Sequence, residues 1–345
     1  MNILFDIGHP AHFHLFKNLI DELKKFKHSV LITARYKDVL IDLLEKAGLE
    51  YHLLSKPGKG YLGLAKELLV RDLKMYLICR HFKPDLLIGS SVNIAHVGTL
   101  IGVPSLVFSE DDDPTLPLFA YPTYPFAYRI VNPICTEYHH WKAKRVLYRS
   151  YHELAYLHPD NFTPDRSILD KYNLKEKDYI VARFSAFQAH HDVGETGLPS
   201  DTWAKIESLV HDYGYQIVKS VENERSHMID PWDMHHVLFF AKMLVSDSQT
   251  MTAEAAVLGV PGIRINSLVG KVKYLEELEK DYGLAINLLP DQEDVILSTV
   301  ESLLRDTATD KTWEQRRKRM LSEKQDLNQW MIKFVDKMLE RTMRD

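Results

Sequence analysis

Short apolar runs alternate with amphipathic stretches along nearly the whole chain. Ile3–Ile7, Ser29–Thr33, Tyr51–Leu54, Asp85–Gly89 and Ser105–Phe108 read as strands. Between them His14–Phe26, Val39–Ala47, Leu62–Phe82 and Ile94–Ile101 carry helical spacing, with Leu15, Leu19 and Leu23 on one face of the first. Strands without polar alternation need cover on both faces, which implies a parallel sheet between helical layers. The pattern lapses over Leu116–Pro133, where four prolines and many aromatics suggest a segment wrapping the first domain's edge, ending in a strand at Ala127–Val131. A second alternating series follows: strands at Tyr179–Arg183, Tyr215–Lys219, Met243–Val245, Gly262–Ile265 and Leu284–Ile286, with helices at Asp201–Asp212, Trp232–Phe240, Thr250–Leu258, Val272–Lys280 and Glu293–Leu304. From Lys311 to Arg344 the chain reads as helix, with Trp330, Phe334 and Met338 on one stripe.

At 345 residues the chain is too long for one ordinary core and suits two. The turn-rich HPDNFTPDR stretch, His158–Arg166, reads as the linker. The expected division is a first α/β domain over 1–157, a linker over 158–166, a second α/β domain over 167–310 and a C-terminal helix over 311–345 that can return to the first domain. Both domains are doubly wound, with a cleft between them. A net charge of −5 argues against wholesale nucleic-acid binding. The two cysteines, Cys79 and Cys135, form no CxxC pair, so neither a disulfide framework nor a cysteine–zinc site is indicated. MNILFDIGHP enters a strand at once, without the basic start of a signal peptide, and no apolar run is long enough to span a membrane. A cytoplasmic protein is expected.

The segment KMLVSDSQTMTAEAAVLGVPGIRINS, Lys242–Ser267, carries the clearest chemistry. A strand runs into a polar turn and then a helix opening on Ser248, Gln249, Thr250 and Met251. Helix starts leave backbone N–H groups unpaired, and hydroxyls beside them complete a site for phosphate or pyrophosphate. Glu254 lies one turn further, where a carboxylate can take both hydroxyls of a ribose. Phosphate donors plus a ribose-reading acid suggest a nucleotide.

This segment resembles the nucleotide-sugar segment of the peptidoglycan N-acetylglucosaminyltransferase and of UDP-N-acetylglucosamine 2-epimerase, where small polar residues hold the diphosphate and a glutamate the ribose. The Gly-Gly common in that turn is replaced here by Gln249 and Thr250. Two doubly wound halves, with the nucleotide site on the second, resemble the GT-B architecture. A closer resemblance spans nearly the whole chain: GHPAHFHLFKNLI, YHELAYLHPDNFTPD, ARFSAFQAHHDVG and SDSQTMTAEAAVLGVPGIR are similar to domain-of-unknown-function family 354 (DUF354), whose members are described as GT-B-like predicted glycosyltransferases.

The resemblance implies a metal-independent transfer of sugar from a nucleotide diphosphate-sugar, UDP-linked by expectation, to a hydroxyl of a saccharide or lipid-linked acceptor, without a cofactor. It places Gly8 and the histidines after it at the cleft. A histidine suits the base that such a transfer needs, with His12 the first choice and His9 the second. The alternative is that these histidines cap the helix. Arg183 can neutralise pyrophosphate and Ser185 can bond a phosphate oxygen; an interdomain salt bridge is the competing reading for Arg183. His190, in the HHD triplet, reads as a donor contact rather than a metal ligand, because adjacent side chains diverge. Asn266 follows the next strand at the same edge and can touch base or phosphate.

Glu110–Asp113 contains Asp-x-Asp, but a solvated acidic loop is the commoner meaning; Glu110 is also an alternative base. Lys56–Lys83 interleaves leucines with lysine and arginine. It reads either as a helix lying on anionic lipid, which would put the protein at the inner membrane face, or as a domain helix with a solvated face. Two other functions share the nucleotide-sugar site: 2-epimerisation or hydrolysis, and non-catalytic nucleotide binding within a polysaccharide assembly.

Overall fold

The computed structural model describes residues 1–345 except 38, 59, 185–196, 222–228 and 343–345. Its contacts divide the chain into two units, one of residues 1–156 with 325–345 and the other of residues 157–324.

The first unit runs β1 (Asn2–Ile7), α1 (Pro10–Lys25), β2 (Ser29–Arg35), α2 (Leu40–Lys46), β3 (His52–Ser55), α3 (Gly60–Phe82), β4 (Leu86–Gly89), α4 (Val92–Ile101), β5 (Ser105–Phe108), α5 (Pro117–Thr123), β6 (Arg129–Pro133) and β7 (Arg145–Tyr148). All seven strands are parallel, in the order β3-β2-β1-β4-β5-β6-β7. The order reverses between β1 and β4, which opens a crevice at their carboxyl ends. Ile3, Leu4 and Phe5 have no exposed surface, as an unbroken apolar strand covered on both faces requires. Leu15, Leu19 and Leu23 of α1 are equally buried, on the face their spacing predicts. Gly89 is needed where it stands: a side chain there would meet the Asp6 carbonyl oxygen at 2.7 Å.

The proline-rich segment departs from expectation. Pro117 opens α5, where its missing N–H costs nothing, and Pro122 lies inside this short helix. The strand after it is Arg129–Pro133, and a further edge strand, β7, follows it. Arg145–Tyr148 has only four residues and leaves Leu147 partly exposed, so its pattern is too weak to announce a strand.

The second unit runs α6 (Ser167–Lys171), β8 (Tyr179–Phe184), α7 (Ser200–Asp212), β9 (Gln216–Val221), α8 (Met234–Phe240), β10 (Leu244–Ser246), α9 (Gln249–Leu258), β11 (Gly262–Ile265), α10 (Lys273–Lys280), β12 (Ala285–Leu288), α11 (Glu293–Arg305) and α12 (Thr309–Glu323). Its five strands are parallel, ordered β12-β11-β10-β8-β9. The reversal here falls between β8 and β10.

The single helix expected over 311–344 is two. After α12, Gln325 N–H donates to the Arg149 carbonyl and the Gln325 carbonyl accepts from Ser150 Oγ at 2.6 Å. Asp326 then accepts from the N–H groups of Asn328 and Gln329 and starts α13 (Leu327–Thr342), which belongs to the first unit. Trp330 stacks on Phe334 with ring centroids 5.0 Å apart, and Met338 is buried on the same stripe.

Candidate functional site

In the second unit, β10 delivers the chain into α9 at the carboxyl edge of the sheet. Ser248 is the N-cap: its Oγ accepts from Met251 N–H at 3.3 Å. Its own N–H is held by Ser246 Oγ at 2.9 Å. Thr252 N–H reaches the Ser248 carbonyl. The N–H groups of Gln249 and Thr250 have no partner among the described residues, so the helix start keeps two donors for an anion. The helix ends at Gly259, whose φ of 77° suits glycine.

Glu254, one turn in, is buried, and its Oε1 lies 2.9 Å from Nε2 of the equally buried His235 on α8. The imidazole fixes the orientation of the carboxylate. Asn266 staples the loop after β11, donating to the Asp247 carbonyl at 2.8 Å and accepting from Leu268 N–H at 2.9 Å. Ser185 and His190 lie outside the described residues.

Strand register adds a residue the sequence reading missed. Ser220, Arg183, Ser246, Arg264 and Asn287 are successive partners across β9, β8, β10, β11 and β12. Paired residues of parallel strands share a face, so these five form one polar row on the last rungs of the sheet. Arg183 donates from Nη1 to Ser220 Oγ at 2.7 Å. Arg264 is fully buried, and none of its three guanidinium nitrogens has a hydrogen-bond partner among the described residues. Burial pulls its pKa below the ordinary arginine value, against the pull of Tyr274, Glu276 and Glu279. The signal was present in GIRI, a charged residue inside an apolar strand, but its meaning depends on what surrounds it.

In the first unit, His9 caps α1. Its Nδ1 accepts from Ala11 N–H at 3.2 Å, and its carbonyl accepts from His12 N–H at 3.0 Å. His12 lies 5.8 Å from His9, ring to ring, and its buried Nδ1 has no partner among the described residues. Burial, then the nearby His9, His152 and Arg71, holds its pKa well below the usual imidazole value, so the ring is neutral at neutral pH. His14 is inside α1 and stacks on Tyr156 at 5.2 Å. Nothing lies within 4 Å of where a side chain on Gly8 would begin.

Around this loop sit Glu110 and several groups the sequence reading did not single out. Asp6 at the end of β1 is fully buried, accepting from Thr33 Oγ1 at 2.7 Å and from Arg71 at 2.8 Å. Ser90 and Ser91 follow β4, and neither buried hydroxyl has a partner among the described residues; Ser91 is the N-cap of α4 without a side-chain capping bond. Glu110 Oε2 lies 3.3 Å from Nδ1 of His152. Burial pushes the His152 pKa down to about 3, so this is a contact of a neutral imidazole with a carboxylate rather than an ion pair. The crevice at β1 and β4 thus presents neutral imidazoles and hydroxyls able to accept or relay a proton.

The acidic run is not a solvated loop. Asp112 accepts from Glu137 N–H, and Asp113 from the N–H groups of His139 and His140 at 2.8 and 3.0 Å; both carboxylates are buried. They clamp the turn before β7, which gives these two acids a structural role. Asp111 is pushed up to about 6, chiefly by burial and then by Asp112.

Residues 1–340 match the family model described as "Protein of unknown function (DUF354)". No curated protein matches the chain in sequence. Among solved structures, it is similar to UDP-N-acetylglucosamine 2-epimerase from Rickettsia bellii, with 14% identity over 100% of this chain and 98% of that one and a TM-score of 0.69. It is also similar to the UDP-GlcNAc 2-epimerase from Neisseria meningitidis bound to UDP-GlcNAc, with 12% identity over 99% of both chains and a TM-score of 0.62. The glycosyltransferase SsfS6 from Streptomyces sp. SF2575, complexed with thymidine diphosphate, shares 11% identity over 98% of this chain and 99% of that one, with a TM-score of 0.63. At these identities the likeness shows the fold: two parallel-sheet α/β domains of the GT-B kind.

Proposed function

The chain belongs to the DUF354 family, and from that premise we propose that it is a glycosyltransferase taking sugar from a nucleoside diphosphate-sugar, UDP-linked by preference. The acceptor is a hydroxyl of a saccharide or lipid-linked acceptor in surface polysaccharide or glycolipid synthesis. The observation that carries the reading is the start of α9: two unfilled N–H groups at a sheet's carboxyl edge, with the oriented carboxylate of Glu254 one turn in. The helix start and the guanidinium groups of Arg183 and Arg264 would stabilise charge on the leaving diphosphate, as oriented donors in a water-poor site do. His12 is the proposed base, because its depressed pKa keeps the ring unprotonated and able to accept the acceptor's proton. Its loss as His12→Gln should lower kcat by about 10²–10⁴ with little change in donor affinity. Ser185 and His190 remain proposed donor contacts, and Asn266, whose side chain also staples its own loop, a proposed contact to base or phosphate.

Thermal unfolding with UDP, UMP and uridine tests the donor site. A ligand that binds only the folded chain raises its melting temperature. UDP should stabilise most, and Ser248→Ala with Glu254→Ala should remove the shift while leaving a folded protein. An undiminished UDP shift in both variants refutes the site.

The neutral imidazoles and Glu110 around the first unit's crevice also suit proton exchange at a sugar carbon, which favours 2-epimerisation as a second reading. A UDP-N-acetylhexosamine incubated in deuterated water without acceptor separates the two. Deuterium entering at C2 assigns epimerisation, and an unchanged sugar rules it out.

A further inference from the structure

The α3 helix buries Met75 and Cys79 in the core of its unit. The rest of its inward side carries charge: Arg71 bonds Asp6, and Glu67 accepts from Arg35, Ser55 Oγ and Gly58 N–H. Its outward side carries leucine. Leu62 is 89% exposed, Leu69 70%, Leu73 60% and Leu77 50%. The spacing 62, 69, 73, 77 sets these four on one stripe of a helix. Lys66 and Arg80 are exposed on that same stripe. Both acids of α3 are turned away: Glu67 as above, and Asp72 onto Asn93 and His96. The outer face is therefore apolar and basic, without one carboxylate.

Two helices flank α3. The ring of His96 on α4 reaches Asp72 of α3 with one nitrogen and the Pro122 carbonyl of α5 with the other, so the three helices lie side by side. The α5 helix exposes Leu118 and Tyr121.

We propose that this face of the first unit docks on an anionic lipid surface, with α3 lying in the headgroup region. Charge decides the occupant. A second copy of the chain meeting this face with its own would set Lys66 and Arg80 against the same cations, with no acid to pair them. An anionic bilayer supplies both an apolar layer for the leucines and negative charge for the cations. No helix of the described residues is long and apolar enough to cross a membrane, so the contact is one of lying on the surface. The placement is independent of the nucleotide site and stands or falls without it.

Co-sedimentation of the whole chain with large unilamellar vesicles tests it, comparing phosphatidylcholine alone with phosphatidylcholine and phosphatidylglycerol at about 3:1. The chain should sediment with the anionic vesicles, remain in solution with the neutral ones, and release at about 0.5 M salt, where surface charge is screened. Leu69→Gln with Leu73→Gln should weaken binding at least about tenfold. Lys66→Ala with Arg80→Ala should weaken it roughly 25-fold, at about fivefold per cation. Because these side chains face outward, circular dichroism and melting temperature should match the wild type in both variants. Equal binding to neutral and anionic vesicles, or leucine variants that bind like wild type, overturns the proposal. So does a concentration-dependent dimer that Leu69→Gln with Leu73→Gln abolishes, which gives the face to a second copy.

Discussion

Single residues carry much of the meaning here through the company they keep. His152 has its pKa lowered to about 3 by burial, against an ordinary value near 6.5. An unfolded chain therefore binds a proton below about pH 6.5 that the folded chain refuses until about pH 3. Stability from this group is full above that upper limit and falls as pH drops through the window, by about 1.4 kcal/mol per pH unit. Urea unfolding at pH 6, 5 and 4 should show a shallower loss in His152→Gln than in wild type. The buried Arg264 makes the opposite kind of prediction. A buried guanidinium with no hydrogen-bond partner among the described residues costs stability, so Arg264→Met should raise the unfolding free energy by about 1–4 kcal/mol. The same variant should lose most of the melting-temperature gain with UDP if the positive row serves a diphosphate. A drop in ligand-free stability with the UDP gain intact would make Arg264 purely structural. Asp6 of the first unit shows the paired case: a carboxylate with no exposed surface, one oxygen accepting from Thr33 and the other from Arg71.

At the level of elements, the strands and helices of both series were legible because their apolar spacing is regular and their ends carry turn residues. The α9 helix is the plainest instance, opened by Ser248 and closed by Gly259 before Pro261. Its closing residue is testable. Gly259→Ala would force a side chain into the left-handed region and bring its Cβ within 2.8 Å of Arg317 Cδ. A loss of about 1–2 kcal/mol in chemical denaturation is expected. The elements that escaped the sequence reading have local reasons. Four-residue β7 is an edge strand whose register with β6 comes from tertiary pairing. The acids before it read as solvated because nothing in EDDD says that Asp112 and Asp113 turn inward to hold backbone N–H groups from residues 137, 139 and 140. The helix over 311–344 breaks at Lys324–Asp326 because the chain there bonds to Arg149 and Ser150, far away in sequence.

For the whole molecule, the chain's last segment is a part of its first unit. Leu327, Met331, Val335, Met338 and Leu339 of α13 are buried there. At about 1.5–3 kcal/mol for each large apolar side chain, they rival the entire stability of an ordinary domain. Deleting residues 325–345 should therefore unfold residues 1–156 while leaving 157–324 protected. Hydrogen exchange read by mass spectrometry checks this, and uniform protection across the shortened chain would contradict it. The sequence by itself determined the two parallel α/β series, the family, and the helix start capped by Ser248, because periodicity, caps and motifs are local properties. Only the tertiary structure decided that α3 turns its leucines outward, that Arg264 joins a polar row with Arg183, and that His12 and His152 are kept neutral. Those outcomes depend on burial and on partners brought together across tens to hundreds of residues, and no window of sequence contains them.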